Sequence, residues 1–240
     1  MAELILALDL PTRDEALWLL DRLPRLHWVK VGSILMTAHG PELVRELTRR
    51  GLQVFLDLKW HDIPNTVAGA VTAARHLGVS MATVHIAGGQ DMMRAAADAA
   101  DGSLAVVGVT VLTSQRTSST DDTDDTDSSS RKRQSASSAS SVDEAVENLA
   151  RSAMDAGLAG VVCSPLEAAR IRQAIGPKPL IVTPGIRRPT DPPGDQARTS
   201  GPREAVRAGA THLVVGRPIL EAKDPLAALE EFLGSLNPDL

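Results

Sequence analysis

Short apolar runs alternate along the chain with segments in which apolar positions recur every three or four residues. Eight runs have the length and apolar character of buried parallel strands. They are Leu4–Leu10, Trp28–Gly32, Val54–Lys59, Ala82–Ala87, Ala105–Leu112, Gly160–Ser164, Leu180–Gly185 and Leu213–Gly216. The pattern predicts one α/β domain over residues 1–240, folded as a closed (β/α)8 TIM barrel with no room for a second domain.

Helices are predicted between these strands wherever the apolar positions follow a period near 3.6. The predicted helices include Arg13–Leu23, Pro41–Arg50, Asn65–Leu77, Asp91–Ala100, Val142–Ala156 and Pro225–Leu233. Glycine is expected to end the helices in a left-handed conformation. The glycines in question are Gly51, Gly78, Gly102, Gly157 and Gly209.

Composition is that of a soluble, cytoplasmic, enzyme-sized domain. Hydrophobic residues make up 43% and charged residues 23%, and the net charge of −5 argues against a nucleic-acid surface. The single cysteine, Cys163, is expected to be a buried and inert thiol. We expect no signal peptide and no membrane helix, because no apolar run approaches the length of about 20 residues that a membrane helix needs. We also expect no metal site, because the six histidines are scattered.

The segment 116–141 does not fit the barrel pattern. It consists almost entirely of Ser, Thr and Asp around a basic cluster at Arg131–Arg133, and so cannot build a core. The sequence predicts a mobile low-complexity loop inserted after the fifth strand, as an extension of a lid. A cation site in its acidic half, Asp121–Asp127, is disfavoured because the glycine and final glutamate of a calcium loop are absent.

Charged side chains cluster at the end of the third predicted strand, at Asp57, Lys59 and Asp62. Residues two apart on a strand point to the same side, so Asp57 and Lys59 are predicted to share a pocket. Burying such a pair costs desolvation energy, which favours a functional role over a structural ion pair.

Asp62 lies beyond the strand, on the turn before a helix that Pro64 can open. It is therefore not expected to point into the pocket that its own strand serves. Two interpretations stay open at this stage: Asp62 caps the helix, or it serves a pocket made with a neighbouring subunit.

The carboxyl ends of barrel strands carry the chemistry in this fold. Read in order, those ends hold Asp9, Lys30, Asp57, Lys59, His85, Thr113, Ser114, Pro184–Arg187 and Gly216–Arg217. Glycines and guanidinium groups after the seventh and eighth strands are well suited to bind a phosphate group. The sequence therefore predicts a charged pocket with a phosphate-binding corner.

The stretch from Asp57 to Thr66 resembles the signature of orotidine 5′-monophosphate decarboxylase. Further matches to that family lie at Leu8-Asp9, Val29–Gly32, Val111–Ser114, Pro184–Arg187, Asp195-Gln196 and Val215–Pro218. The resemblance covers the whole chain except 116–141. It implies a homodimeric enzyme that decarboxylates orotidine 5′-monophosphate to uridine 5′-monophosphate, the last step of de novo UMP synthesis, without a cofactor or metal.

The same resemblance implies a role for individual residues. The catalytic tetrad would be Lys30, Asp57, Lys59 and Asp62, with Lys59 stabilising and protonating a carbanion at pyrimidine C6. Asp62 and Thr66 would reach the partner's site. The remaining substrate-binding residues would be Asp9, Thr113, Ser114, Pro184, Arg187, Gln196, Gly216 and Arg217.

Two rival functions are weighed against this one. A related sugar-phosphate decarboxylase or aldolase would use Mg²⁺ and would want a carboxylate at the second strand end, where this chain has Lys30. A non-catalytic barrel that binds a phosphorylated ligand would need Gly216 and Arg217 but would leave the tetrad unexplained.

Overall fold

The computed structural model describes residues 2–111, 144–191 and 198–236. Eight parallel strands close into a barrel in which each strand pairs with the next along the chain, and β1 pairs with β8. The strands are β1 Glu3–Ala7, β2 Trp28–Gly32, β3 Gln53–Trp60, β4 Met81–His85, β5 Ala105–Val109, β6 Gly160–Val162, β7 Leu180–Thr183 and β8 His212–Val215. The predicted (β/α)8 barrel is confirmed.

Helices follow the strands and surround the barrel. They are α1 Arg13–Leu20, α2 Ser33–Arg49, α3 Pro64–His76, α4 Gln90–Ala100, α5 at 144–155, α6 Ala168–Ile175, α7 Pro202–Arg207, α8 Arg217–Leu220 and α9 Pro225–Ser235. Among the described helices, none is long and apolar enough to cross a membrane.

The alternation of side chains along each strand produces two cores. Ile5 and Ala7 of β1 point into the barrel, where they pack with Phe55, Met81 and other inward-facing residues. The intervening residues, such as Leu4 and Leu6, point outward into the larger core between the strands and the helices. The barrel is filled with side chains at this level, so space for a ligand lies only toward its ends.

Several element boundaries differ from those predicted. Six of the predicted strands run past their observed carboxyl ends, because apolar residues continue into the loops that follow: Leu8, for example, is fully buried beyond β1. Helix α2 begins directly after β2, ahead of the predicted Pro41 start. It is kinked where Gly40 has a φ of 61°. The predicted loop 116–141 lies outside the described residues.

Candidate active site

A cavity of about 620 Å³ opens at the carboxyl ends of the strands. Its wall is charged on one side, at the ends of β1 to β3, and carries arginines on the other, after β7 and β8. Of the predicted site residues, the lining includes Asp9, Lys30, Asp57, Lys59, Pro184, Arg187, Gly216 and Arg217. Eight of the predicted site residues therefore meet at one cavity.

Four charges of alternating sign form a continuous run in this wall. Lys30 Nζ lies 3.0 Å from Asp9 Oδ1 and 3.7 Å from Asp57 Oδ2. Lys59 Nζ lies 2.9 Å from both Oδ1 and Oδ2 of Asp57. The inner members, Lys30 and Asp57, are only 12% and 13% exposed, whereas Lys59 is 38% exposed to the cavity. Within one chain, the run therefore ends in Asp9; Asp62, predicted to join it from the partner subunit, is not part of it.

Lys30 depends on the absence of a side chain at Gly32. A Cβ atom at that position would lie 3.0 Å from Lys30 Nζ and 3.4 Å from Asp9 Oδ1. The first of these contacts is tighter than nine in ten real Cβ contacts, so the Lys30 side chain would have to shift. A glycine at the end of β2 therefore leaves room for the ammonium group between its two carboxylates.

The carboxyl end of β3 departs from regular strand geometry. Leu56 pairs with Ala82 of β4, and the next pair is Trp60 with Val84. Between these two pairs, β3 has three residues and β4 has one, so β3 carries two extra residues in a bulge. Within it, Lys59 has a φ of 52°, which is uncommon for a lysine. The side chains of Lys59 and Asp57 meet as predicted, but through this bulge and not through regular alternation.

Asp62 and Thr66 lie apart from the charged run. Both are exposed, and neither lines the cavity of its own chain. Asp62 Oδ1 accepts a hydrogen bond from the Ile63 N–H at 2.7 Å, and the N-cap of α3 is Ile63, with no side-chain cap. The interpretation of Asp62 as an ordinary helix cap is therefore wrong, because such a cap bonds an N–H two or three residues further on. The reach of Asp62 and Thr66 into a partner's site stays a prediction.

The opposite wall has the features of an anion site. Gly185 has a φ of 84°, a conformation that suits glycine, and it directs the chain so that Arg187 lines the cavity. The Nε of Arg187 is buried and has no hydrogen-bond partner in the described residues. Arg217 and Gly216 line the same corner from the end of β8. A buried, unpartnered guanidinium nitrogen is a group that an anionic ligand would satisfy. The predicted Thr113, Ser114 and Gln196 lie outside the described residues.

Two other predicted residues have a clear environment. Burial, followed by the charge of Glu167, raises the pKa of the Cys163 thiol, which confirms an inert buried cysteine. His85, at the end of β4, has its pKa lowered by desolvation and then by the neighbouring His61 and Lys59. Its ring lies 5.7 Å from that of His61, so His85 favours the neutral form beside Lys59.

One residue beside the charged run was missed by the sequence analysis. Thr83 of β4 is fully buried, and its hydroxyl oxygen lies 2.8 Å from the Lys59 amide nitrogen and 3.1 Å from Asp57 Oδ1. The available signal was a polar residue among the inward-facing positions Met81, Thr83 and His85. Without knowledge of the bulge, nothing connected that residue to Lys59. Among the described residues, no three His, Cys, Asp or Glu side chains gather into a metal-binding group.

Comparison with known proteins adds an independent result. The chain matches the family model described as "Orotidine 5'-phosphate decarboxylase / HUMPS family" over residues 2–232. It is 47% identical to a protein of Chromohalobacter salexigens named orotidine 5′-phosphate decarboxylase, over 94% of this chain and 92% of that protein. A relative of the same name from Alkalilimnicola ehrlichii is 49% identical, over 95% and 93% of the two chains.

A solved structure agrees with these relatives. The crystal structure of orotidine 5′-phosphate decarboxylase from Lactobacillus acidophilus superposes with a TM-score of 0.79 at 35% identity, covering 99% of this chain and 100% of that one. Fold, charged cavity and sequence similarity all lead to one assignment. The chain belongs to the orotidine 5′-phosphate decarboxylase / HUMPS family.

Proposed function

We propose that this protein catalyses the decarboxylation of orotidine 5′-monophosphate to uridine 5′-monophosphate, the last step of de novo UMP synthesis. The observation that carries the proposal is the alternating run Asp9–Lys30–Asp57–Lys59, which faces a cavity with arginines on its opposite wall. Relatives that are 44–49% identical over most of the chain carry the decarboxylase name, not that of a sugar-phosphate enzyme.

The reaction needs a cation beside one carbon atom. The bond between pyrimidine C6 and the carboxylate breaks, CO₂ leaves, and the electron pair remains in the ring plane, where the π system cannot delocalise it. The ammonium of Lys59 is the group to stabilise this charge and then to transfer a proton to C6. Lys59 suits the role because it is the most exposed to the cavity among Lys30, Asp57 and Lys59.

The other members of the run hold this ammonium in place. Asp57 accepts hydrogen bonds from Lys59 and is proposed to lie beside the departing carboxylate, so that the two anions repel each other when the substrate is bound. Lys30 balances Asp57 and, with Asp9, is placed to bind ribose hydroxyls. The enzyme thereby stabilises the charge that develops in the transition state more than the charge of the substrate.

The phosphate group of the substrate is assigned to the corner after β7 and β8. Arg187 supplies the unpartnered Nε, and Arg217 and Gly216 complete the corner, with Pro184 beside them. Gln196 is proposed to join this phosphate grip, and Thr113 or Ser114 to bind the pyrimidine. Contacts to a phosphate remote from C6 can contribute to the rate when they drive closure over the substrate.

The proposal includes a homodimer in which Asp62 and Thr66 of one chain complete the site of the other. Support comes from their exposure and from their separation from the cavity of their own chain. The enzyme is proposed to work in the cytoplasm, because a phosphorylated nucleotide does not cross membranes and is consumed where it is made.

The Mg²⁺-dependent sugar-phosphate chemistry is less well supported by the donor set. Asp9 and Asp57 both lie within 4 Å of the Lys30 ammonium, which would repel a divalent cation between them. A purely binding role does not explain why the charged side chains of Lys30 and Asp57 are largely buried.

Purified protein in excess EDTA should consume orotidine 5′-monophosphate, as followed by absorbance. The Lys59→Ala variant should bind uridine 5′-monophosphate but lack decarboxylation. A protein that binds the nucleotide without turnover in both forms would be a binder, and activity that EDTA abolishes would favour the metal-dependent alternative.

A further inference from the structure

In the described part of the chain, the Thr83 hydroxyl links the main chain of Lys59 to the carboxylate of Asp57 through two hydrogen bonds. The Thr83 side chain is fully buried on β4 and does not line the cavity. The residue therefore contacts the charged run without itself lining the cavity. The mechanism above assigns it no role.

The bulge in β3 explains why such a link is needed. Between the pairs Leu56–Ala82 and Trp60–Val84, three residues of β3 face the single residue Thr83. The Lys59 N–H is thereby removed from the regular ladder, and a buried N–H without a partner is costly. The Thr83 hydroxyl replaces the missing ladder acceptor at 2.8 Å. It thus supports the left-handed backbone of Lys59, whose φ is 52°.

The direction of both hydrogen bonds follows from counting protons. A hydroxyl has one hydrogen and two lone pairs. An amide N–H can only donate, so Thr83 Oγ1 must accept from Lys59 and has its own hydrogen left for Asp57 Oδ1 at 3.1 Å. Oδ1 then receives hydrogen bonds from the Thr83 hydroxyl and from the Lys59 ammonium, as an ionised carboxylate can.

We propose that Thr83 is a positioning residue for the decarboxylation: its hydroxyl fixes the Lys59 backbone and the Asp57 carboxylate relative to each other, and so places the ammonium beside C6. The inference rests on the proposed function and deepens it. Because Thr83 acts through two other residues and lies outside the cavity, its loss should reduce turnover without weakening nucleotide binding.

The test compares substitutions that keep or remove the hydroxyl. Thr83→Val retains the shape and loses both hydrogen bonds, and kcat should fall on the order of 10²-fold, as expected for small misplacements of a catalytic group. Thr83→Ser retains the hydroxyl and should recover most of the loss. KM and the Kd for uridine 5′-monophosphate should stay within about threefold of wild type.

Thr211→Val is the matched control. The Thr211 hydroxyl also accepts a main-chain N–H, that of Ile181 at 3.0 Å, but at the amino-terminal end of the barrel. Its loss should lower the Tm as much as Thr83→Val does and leave kcat unchanged. Should Thr83→Val fail to fold, Thr83→Ala is measured in its place with the same expectation, since the space it frees can admit a water to the Lys59 N–H.

A double-mutant cycle with Asp57→Ala distinguishes positioning from general stabilisation. In that background, Thr83→Val should reduce the residual kcat clearly less than it reduces the kcat of the wild type, because one of the two groups that Thr83 holds is already gone while its bond to the Lys59 N–H remains. Wild-type turnover in folded Thr83→Val, no recovery in Thr83→Ser, or full additivity in the cycle would each overturn the inference. Wild-type protein that does not decarboxylate the nucleotide would contradict the proposed function itself.

Discussion

The ammonium nitrogen of Lys59 lies at the same distance, 2.9 Å, from both carboxylate oxygens of Asp57. Two of its three N–H bonds are therefore used to hold one carboxylate, and the third is left for the cavity. The arrangement fixes the direction in which a proton can be given. It also means that the charge of Lys59 is held in place before the substrate arrives.

Replacing Lys59 with alanine should raise the barrier to decarboxylation by at least about 5 kcal/mol, because the stabilising charge and the proton donor are lost together. Folding should survive, since Asp57 keeps Lys30 within 3.7 Å and the Thr83 hydroxyl. Steady-state kinetics and thermal unfolding check both parts. Lys178→Ala, at an exposed lysine, is the control, and near-normal turnover in Lys59→Ala would remove this residue from the mechanism.

Mixing two inactive proteins, Lys59→Ala and Asp62→Ala, should restore activity if Asp62 serves the partner's site. Each heterodimer would hold one site with both defects and one intact site. Random exchange gives about half heterodimers, so roughly a quarter of wild-type activity should return.

The control mixture pairs Lys59→Ala with Lys30→Ala. Both residues line the cavity of the same chain, so every site in that heterodimer keeps a defect, and activity should stay absent. No recovery with Asp62→Ala after proven subunit exchange would place Asp62 outside the partner's site.

Arg187→Ala should lower kcat/KM for orotidine 5′-monophosphate, because a charge-assisted contact to the phosphate is lost. The decrease should correspond to a loss of transition-state stabilisation on the order of 3 kcal/mol. Arg217→Ala is expected to act in the same direction. Decarboxylation of the phosphate-free nucleoside orotidine should be almost unaffected by either change. An equal loss on both substrates would show that these arginines do not read the phosphate, and Arg203→Ala, on the exposed surface of α7, controls for charge.

His212 predicts a loss of stability in mild acid. It is 8% exposed, its ring packs edge-on against Trp28 at 5.2 Å, and desolvation lowers its pKa to about 4. Because the unfolded chain takes up this proton near pH 6.5 and the folded one only near pH 4, the unfolded state binds more protons between them. The contribution of His212 to the free energy of unfolding is therefore fully present above about pH 6.5. It is lost as the pH drops toward 4, and the loss is at most about 3 kcal/mol.

Urea unfolding at several pH values measures the slope of the unfolding free energy against pH. His212→Asn should flatten it, whereas His27→Asn, at an exposed histidine, should leave it unchanged. The same slope in wild type and His212→Asn would assign the acid sensitivity to other groups.

The barrel could be predicted from sequence because burial on both faces gives each strand a continuous apolar run. Trp28–Gly32 was predicted with its observed bounds for that reason. Helices α6 and α7 were not, since they have only eight and six residues and too few turns to show a period. The start of α2 was missed because Gly40 and Pro41 suggested a boundary that the chain crosses with a kink.

Site residues were predictable where chemistry and position coincide in the chain, as at Asp57 and Lys59. Thr83 was not, because its role depends on a register shift between two strands, and no single strand's sequence encodes that shift. The Asp9–Lys30 contact likewise joins residues that only the closed barrel brings to 3.0 Å.

The pairing of the first strand with the last has a consequence for synthesis on the ribosome. Glu3 pairs with His212, so the ring closes only after β8 has left the exit tunnel. Until then, β1 presents an unpaired edge to any other strand, including those of neighbouring nascent chains. A polypeptide that stops before residue 212 would keep two open edges, and its fate would be aggregation or degradation in place of a smaller folded unit.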